Sequence, residues 1–588
     1  MTSPTAQGAP SAALVRTTRN RLRTGRRLTP GRLARWGGSL TGTGSLRIVG
    51  AAVGGYALNL SFAPTTLWWS APLGLALLGL SLHGRRFRPA LGLGLVFALA
   101  FYLPLLSWTT VYVGPVATAL AVAEALLTMP VGALIAAASR RLPGWPVWAA
   151  AAWVAGEAFR ARYPFNGFPW GGIAYSQPDG PLLPAASLLG ASGLAFLTAL
   201  AGFGLAGLTR TLWAGRTRLR PLALLVPVLL VAAPFALGAV GLATEQTGRG
   251  EPTRTIAVIQ GNVPEPGLDF NAKRRAVTDL HALQTHKLAA AVRAGTTPRP
   301  DLVIWPENAS DIDPYANDDA ARVITSAVQD IGVPVLVGAV VSSGTPGKNY
   351  NMGIVWDPVT GPAAKLSDQT YSKLHPVPFG EYMPYRSFFR LFSDKVDLQH
   401  GEFLPGRRVG TLDLAGVKVG DVICFEVVYD DIVRDVVDGG AQVLVVQTNN
   451  ATFGWTNETY QQLAMSRVRA VEHGREVLIS STSGVSAVIR PDGSVASRIP
   501  LFTPGYLTPT VPLISAKTPG TAIGGLVEWA LTGAVLAALA LHTLLSRRRR
   551  SGTFVPTDRL HRSAVATTNR VHRNRPSFRA ATKEKQHT

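Results

Sequence analysis

The feature that most constrains this chain is a series of long apolar runs almost free of charge. A membrane-crossing helix needs about 20 predominantly apolar residues. Eight stretches approach that: Leu46–Phe62, Thr66–Leu82, Ala90–Tyr112, Val116–Ala138, Val147–Ala161, Leu182–Leu208, Pro221–Ala243 and Ile523–Leu545. Between the seventh and the eighth, residues 253–517 have the mixed composition of a globular domain. The expected fold is a multi-pass α-helical membrane bundle of about eight spans plus a folded α/β domain. The segments are then a basic tail over 1–45, a membrane domain over 46–245, the domain over 253–517, a last span over 523–545 and a second basic tail over 546–588.

Charge sets the expected orientation. The net charge is +22, yet residues 253–517 hold 24 Lys/Arg against 27 Asp/Glu, so the excess lies in the tails and short loops. That argues against nucleic-acid binding, which needs a basic face on a folded module. The N-terminal tail carries Arg16, Arg19, Arg21, Arg23, Arg26, Arg27, Arg32 and Arg35 and no acid. Arg85, Arg86 and Arg88 follow the second run, Arg140 and Arg141 the fourth, Arg210, Arg216, Arg218 and Arg220 the sixth, and Arg547 to Arg550 the eighth. Every second loop is basic, and basic loops face the cytoplasm. Both termini are expected there, with the chain in the plasma membrane and residues 253–517 on the extracytoplasmic side. Glu124 and Glu157 fall inside apolar runs, where an acid is paired within the bundle or lines a cavity.

The middle region alternates strands and helices. Strands are expected at 255–263, 302–307, 333–341, 353–356, 417–424, 442–448, 477–481 and 486–489. A helix with Val277, Leu280, Leu283, Leu288 and Val292 on its apolar face follows the first. Three element ends carry reactive groups. Glu307 ends one strand, and Cys424, the chain's one cysteine, ends another. Lys373 and Glu381 flank the prolines of the loop Tyr371–Glu381, which is neither regular helix nor central strand. A lone thiol forms no intramolecular disulfide and no thiolate metal cluster. Taken singly, Cys424 reads as a small buried hydrophobe, Lys373 as a solvated side chain, and Glu307, Glu381 and Glu426 as turn or surface charges. Taken together, a carboxylate, an ammonium and a thiol form an acyl-transfer set: base, oxyanion donor and nucleophile.

The runs I-W-P-E-N at Glu307, K-L-H-P-V-P-F-G-E at Lys373 and I-C-F-E at Cys424 resemble the three signature segments of the nitrilase, or carbon–nitrogen hydrolase, superfamily. Gln260-Gly-Asn262, the V-P-F-G-E-Y-M-P run, Arg467-Val-Arg469-Ala-Val-Glu472, Gly167-Phe-Pro-Trp170 and Tyr175-Ser-Gln177 resemble its membrane-embedded apolipoprotein N-acyltransferase family. The resemblance covers about Leu46 to Leu545. It implies an αββα sandwich for the extracytoplasmic domain and a Glu-Lys-Cys triad. Glu307 would be the general base, Lys373 the oxyanion-stabilising lysine and Cys424 the nucleophile. Glu381 and Glu426 would be supporting acids. Phe425 stands where a tyrosine is often seen, and its backbone N–H would serve the oxyanion. Thr448-Asn-Asn-Ala-Thr-Phe-Gly454 stands where the family often has S-N-D-A-W-F-G, so Asn450 and Thr452 replace an acid and a tryptophan. Asn449 and Phe379 are candidate substrate contacts.

The resemblance further implies a phospholipid acyl donor, a diacylated lipoprotein acceptor and no metal or other cofactor. Phe379, Phe388, Phe389, Leu391 and Phe392 form either a lid that dips into the membrane or ordinary core. Two other readings stay open: a membrane-anchored amidase of the nitrilase type, and a non-catalytic transporter or receptor with a degenerate domain.

Overall fold

The computed structural model of the chain describes residues 44–214, 221–244, 248–264, 274–391 and 401–551. Most of both basic tails, and Phe392, lie outside the described residues. Each of the eight apolar runs contains a helix. The first seven are α1 (Gly44–Leu60), α2 (Ser70–Leu82), α3 (Phe87–Leu105), α4 (Thr118–Arg141), α5 (Trp145–Arg160), α6 (Ala186–Ala214) and α7 (Pro221–Ala243). Among the described residues, five helices are long and apolar enough to cross a membrane. α2 and α5 have only 13 and 16 residues, short of a full span at 1.5 Å per residue. The long helix of the third run ends at Leu105, and a separate short helix over Thr109–Val113 follows it. Pro104 sits in the last turn of α3, and the hydroxyls of Ser107, Thr109 and Thr110 donate to carbonyls three residues back, which favours a turn.

The two acids within the bundle are both partnered. Arg160 Nη1 lies 2.5 Å from Glu124 Oε2, with both side chains buried. Glu157 Oε1 accepts from Trp153 Nε1 at 2.8 Å and from the Ile173 N–H at 2.9 Å.

Residues 253–512 build two stacked sheets. In the first, β1 (Thr253–Gln260), β2 (Leu302–Ile304) and β3 (Val335–Ser342) run parallel. The antiparallel β4 (Lys348–Asp357) extends it and pairs with β5 (Gly361–Pro362), β6 (Thr370–Ser372) and β7 (Glu402–Phe403), while β8 (Thr411–Leu414) forms an edge of the second sheet. In the second sheet, β9 (Val417–Ile423), β10 (Val443–Thr448) and β11 (Val477–Ser481) run parallel, and β12 (Ser486–Ile489) is antiparallel to β11. Ile256, Val258, Ile304 and Leu336 of the first sheet share one core with Val419, Ile423, Val445 and Leu478 of the second. Strands buried on both faces read as continuous apolar runs, which is why their alternation is weak in the sequence.

Helices cover the outer faces. α8 (Arg274–Arg293) and α9 (Asp318–Ile331) pack on the first sheet. α8 turns differently from its apolar pattern: Val277, His281, Thr285 and Leu288 are buried, while Leu283 is 47% exposed. α10 (Asp430–Asp438) and α11 (Glu458–His473) cover the second sheet, and their core continues without a break into the bundle residues Phe97, Phe101, Phe168 and Trp170. The final helix, α12 (Pro519–Ser551), follows the sandwich.

One break in α6 helps to join the two parts. Gly190 adopts φ +72°, a conformation glycine takes without strain. The freed N–H of Ala191 donates to Glu472 Oε1 of α11 at 2.8 Å. A Cβ on Gly190 would meet Gly524 Cα of α12 at 2.8 Å, so small residues bring these helices together.

Candidate active site

The first sheet supplies Glu307 and Lys373. β2 ends at Ile304, before the Trp-Pro step, and Glu307 sits in the turn beyond it, 4% exposed. Its Oε1 accepts from Asn351 Nδ2 at 2.7 Å and from Lys373 Nζ at 3.2 Å. Its Oε2 accepts from the Asn449 N–H at 2.8 Å. Lys373 follows β6 directly and is 1% exposed, so it is no surface lysine. Its second anion is Glu381, whose Oε1 lies 3.0 Å from Nζ. Glu381 Oε2 accepts from the Val377 N–H at 2.6 Å, which closes the proline-rich loop over the lysine. Burial works against the ammonium, but Glu307 and Glu381 outweigh it and hold the Lys373 pKa well above the usual lysine value.

The second sheet supplies Cys424. The residue follows β9 with φ +56°, a left-handed conformation that a side chain adopts only under constraint, and a short 3-10 turn over Cys424–Val428 follows. This strand–turn elbow lifts the thiol off the sheet. Sγ lies 3.3 Å from Thr448 Oγ1 and 3.7 Å from Gln462 Nε2. Burial pushes the thiol pKa up and Glu307 adds to that, while Lys373 pulls the other way. The resting group is therefore the thiol, and its proton must leave as the sulfur attacks.

Glu426 plays a different part from Glu381. Its carboxylate accepts from the Ile423 N–H at 2.8 Å, Tyr371 Oη at 2.8 Å, the Leu374 N–H at 2.6 Å and the His375 N–H at 3.1 Å. It ties the lysine loop to the nucleophile turn through the backbone and does not meet the lysine ammonium. Burial pushes its pKa up to about 7.

The turn itself is held from the bundle. The Phe425 ring stacks on Trp170 at 5.8 Å and on Phe168 at 5.3 Å. Tyr429 Oη donates to the Gly167 carbonyl at 3.0 Å, and Tyr175 Oη to the Val428 carbonyl at 2.8 Å. Arg469 is fully buried and donates to the carbonyls of Val427 and Val428 and to Tyr175 Oη, beside Asp430 and Glu472. These positions carry a visible sequence pattern, but their role as a clamp needed the fold.

The two candidate substrate contacts fare differently from the triad. The Asn449 backbone holds Glu307, and its Oδ1 accepts from the Ala451 N–H at 3.2 Å, so its side chain is engaged in the turn. Phe379 is half-buried, its ring 5.9 Å from that of Phe165 after α5. Of the other lid residues, Leu391 is 78% exposed. Among the described residues, no group of three or more His, Cys, Asp or Glu is placed to hold a metal ion.

The family model described as the apolipoprotein N-acyltransferase N-terminal domain matches residues 54–204, and that described as carbon-nitrogen hydrolase matches residues 255–518. An apolipoprotein N-acyltransferase of Mycolicibacterium smegmatis is 42% identical over 88% of this chain and 87% of its own length. The chain belongs to the apolipoprotein N-acyltransferase family. Another apolipoprotein N-acyltransferase, from Ralstonia nicotianae, is 32% identical over 85% of this chain and 94% of its own. An amidase from Nesterenkonia sp. is 20% identical, with a TM-score of 0.33, over 45% of this chain and 92% of that structure. Membership places the bundle loops Gly167–Trp170 and Tyr175–Gln177 in the same family frame as the sandwich, which matches their clamp on the nucleophile turn.

Proposed function

We propose that the chain transfers an acyl chain from a phospholipid to the α-amine of an N-terminal S-diacylglyceryl cysteine on a lipoprotein. The observation that carries this reading is the convergence of Glu307, Lys373 and Cys424, from two sheets and a loop, in a site built against a membrane bundle. The Cys424 sulfur attacks the ester carbonyl while Glu307 takes the thiol proton. A Lys373 N–H holds the oxyanion of the tetrahedral intermediate. Glu307 returns the proton to the departing oxygen, so a lysophospholipid leaves and a thioester remains. The lipoprotein amine then attacks the thioester, Glu307 takes a proton from its nitrogen, and the thiol re-forms on release of the N-acyl product. No step calls for a metal or a nucleotide.

The test is conversion of an S-diacylglyceryl-cysteine peptide by the detergent-purified chain. The expected product is heavier by one acyl group and forms only when phospholipid is present. Hydrolysis of a small amide without lipid, with no peptide conversion, would replace this reading by the amidase one.

The proposed topology has eight crossings, both termini in the cytoplasm and the sandwich outside. It is supported by the alternation of basic loops. In a Cys424→Ala background, Thr345→Cys in the sandwich should label with a membrane-impermeant maleimide on intact cells. Arg86→Cys should label only after the membrane is opened; the opposite pattern contradicts the orientation.

A further inference from the structure

A buried carboxyl that the proposed mechanism leaves unused lies on the far side of the nucleophile. Glu458 opens α11 and is 3% exposed. Its Oε2 accepts from Asn450 Nδ2 at 2.7 Å. The Asn450 amide nitrogen has two protons, and Gln462 Oε1 lies 3.1 Å from the same atom. The other end of Asn450 is also fixed, because its Oδ1 accepts from Ser481 Oγ at 2.9 Å. Gln462 Oε1 meets Thr448 Oγ1 as well, at 2.9 Å. With its oxygen claimed on that side, Gln462 turns Nε2 toward Cys424 Sγ, 3.7 Å away. A flipped Gln462 would set two amide nitrogens against each other. Asn450, Gln462 and Thr448 are all essentially buried, so water does not substitute for any of these partners.

We infer that Glu458 is a positioning residue that acts through Asn450 to hold the Gln462 amide N–H on the nucleophilic sulfur. This deepens the proposed function and rests on the reading of Cys424 as the nucleophile. An N–H aimed at Sγ stabilises the thiolate more than the thiol. Glu307 and Lys373 act on the sulfur electrostatically as well, and neither belongs to this relay. Burial pushes the Glu458 pKa up to about 8, and its carboxylate, once formed, acts against the thiolate. The same geometry accounts for asparagine at 450 in place of the acid often found there. An aspartate would turn acceptor oxygens toward both Glu458 and Gln462 Oε1, whereas the asparagine amide donates to both. Asn450 and Glu458 thus form a matched pair.

The experiment is alkylation of Cys424 by iodoacetamide across pH, on the full chain in detergent, read by mass spectrometry. The single cysteine makes the signal unambiguous. Glu458→Gln removes the charge but keeps an acceptor for Asn450, so it is the reference profile. Relative to it, Glu458→Ala and Asn450→Asp should each move the alkylation midpoint to higher pH, with about a tenfold loss of thiolate at fixed pH, the scale of one hydrogen bond to a charged atom. Acyl transfer should fall with it in kcat while KM holds. Gln462→Leu removes the N–H itself and should give a shift of the same size, and in that background Glu458→Ala and Glu458→Gln should give the same profile. If Glu458→Ala does not fold, Asn450→Leu, which breaks the same link, takes its place in that comparison. A profile in folded Glu458→Ala that matches Glu458→Gln, or a difference between the two that persists in the Gln462→Leu background, overturns the inference. Alkylation reads the thiol whatever the acyl donor is. A chain that fails to acylate while the alkylation pattern holds would refute the proposed function and leave the relay standing.

Discussion

Lys373→Met lowers acyl transfer by about 10²–10³-fold or more and makes the chain less stable. The first effect follows from losing the oxyanion donor, since one preorganised donor in such a site contributes on that scale. The second follows from burial. Lys373 is the cation that both Glu307 Oε1 and Glu381 Oε1 meet, at 3.2 and 3.0 Å. Removing it strands two carboxylates in a site with little water, and breaking a buried ion pair typically costs about 3–5 kcal/mol. The two effects are separable. Adding Glu381→Gln removes one stranded charge, so the melting temperature in detergent should recover in part while turnover does not. Full activity in Lys373→Met would remove the lysine from the mechanism.

Glu307→Gln lowers turnover by about 10²–10⁴-fold, the range for loss of a positioned general base, and leaves the fold in place. The amide oxygen still accepts from Asn351 and Lys373 at the Oε1 position. The amide nitrogen, however, meets the Asn449 N–H that Oε2 now accepts, so one backbone bond is lost. Both half-reactions need the proton transfer. Single-turnover measurements should therefore show slow thioester formation and slow discharge to the amine. A variant slow in only one half-reaction would assign Glu307 to that step alone.

Glu307, Lys373 and Cys424 could be singled out in the sequence because each lies at or just beyond a strand end, with prolines or a turn marking where the strand must stop; that they lie together needed the fold. The apolar helices and the α/β alternation were legible because long apolar runs and alternating elements survive in composition, whereas the αββα layering was implied only by the family resemblance. Three other things were not legible. α2 is shorter than its apolar run because Thr66–Trp69 lead into the helix without joining it, whereas α5 fills a run, Val147–Ala161, that is itself short. The burial of His281 and Thr285 in place of Leu283 depends on which face of α8 meets the sheet, and Trp305 Nε1 donating to Thr285 Oγ1 at 2.9 Å helps to hold it. The clamp on the nucleophile turn links Tyr175 to Val428 and Arg469, partners far apart in the chain, so no local pattern reveals it. Asn449 meets Glu307 through its backbone N–H, a contribution that side-chain chemistry does not display.

The central claim is that Cys424 carries the acyl group between two lipids. The direct measurement is to give the purified chain a phospholipid with a labelled acyl chain, withhold the acceptor, and look for protein-bound label that hydroxylamine releases. The account predicts label on the wild type, none on folded Cys424→Ala, and discharge of the label when an S-diacylglyceryl-cysteine peptide is added. Acyl transfer to the peptide by Cys424→Ala, or a folded wild type that never takes up label, would contradict it.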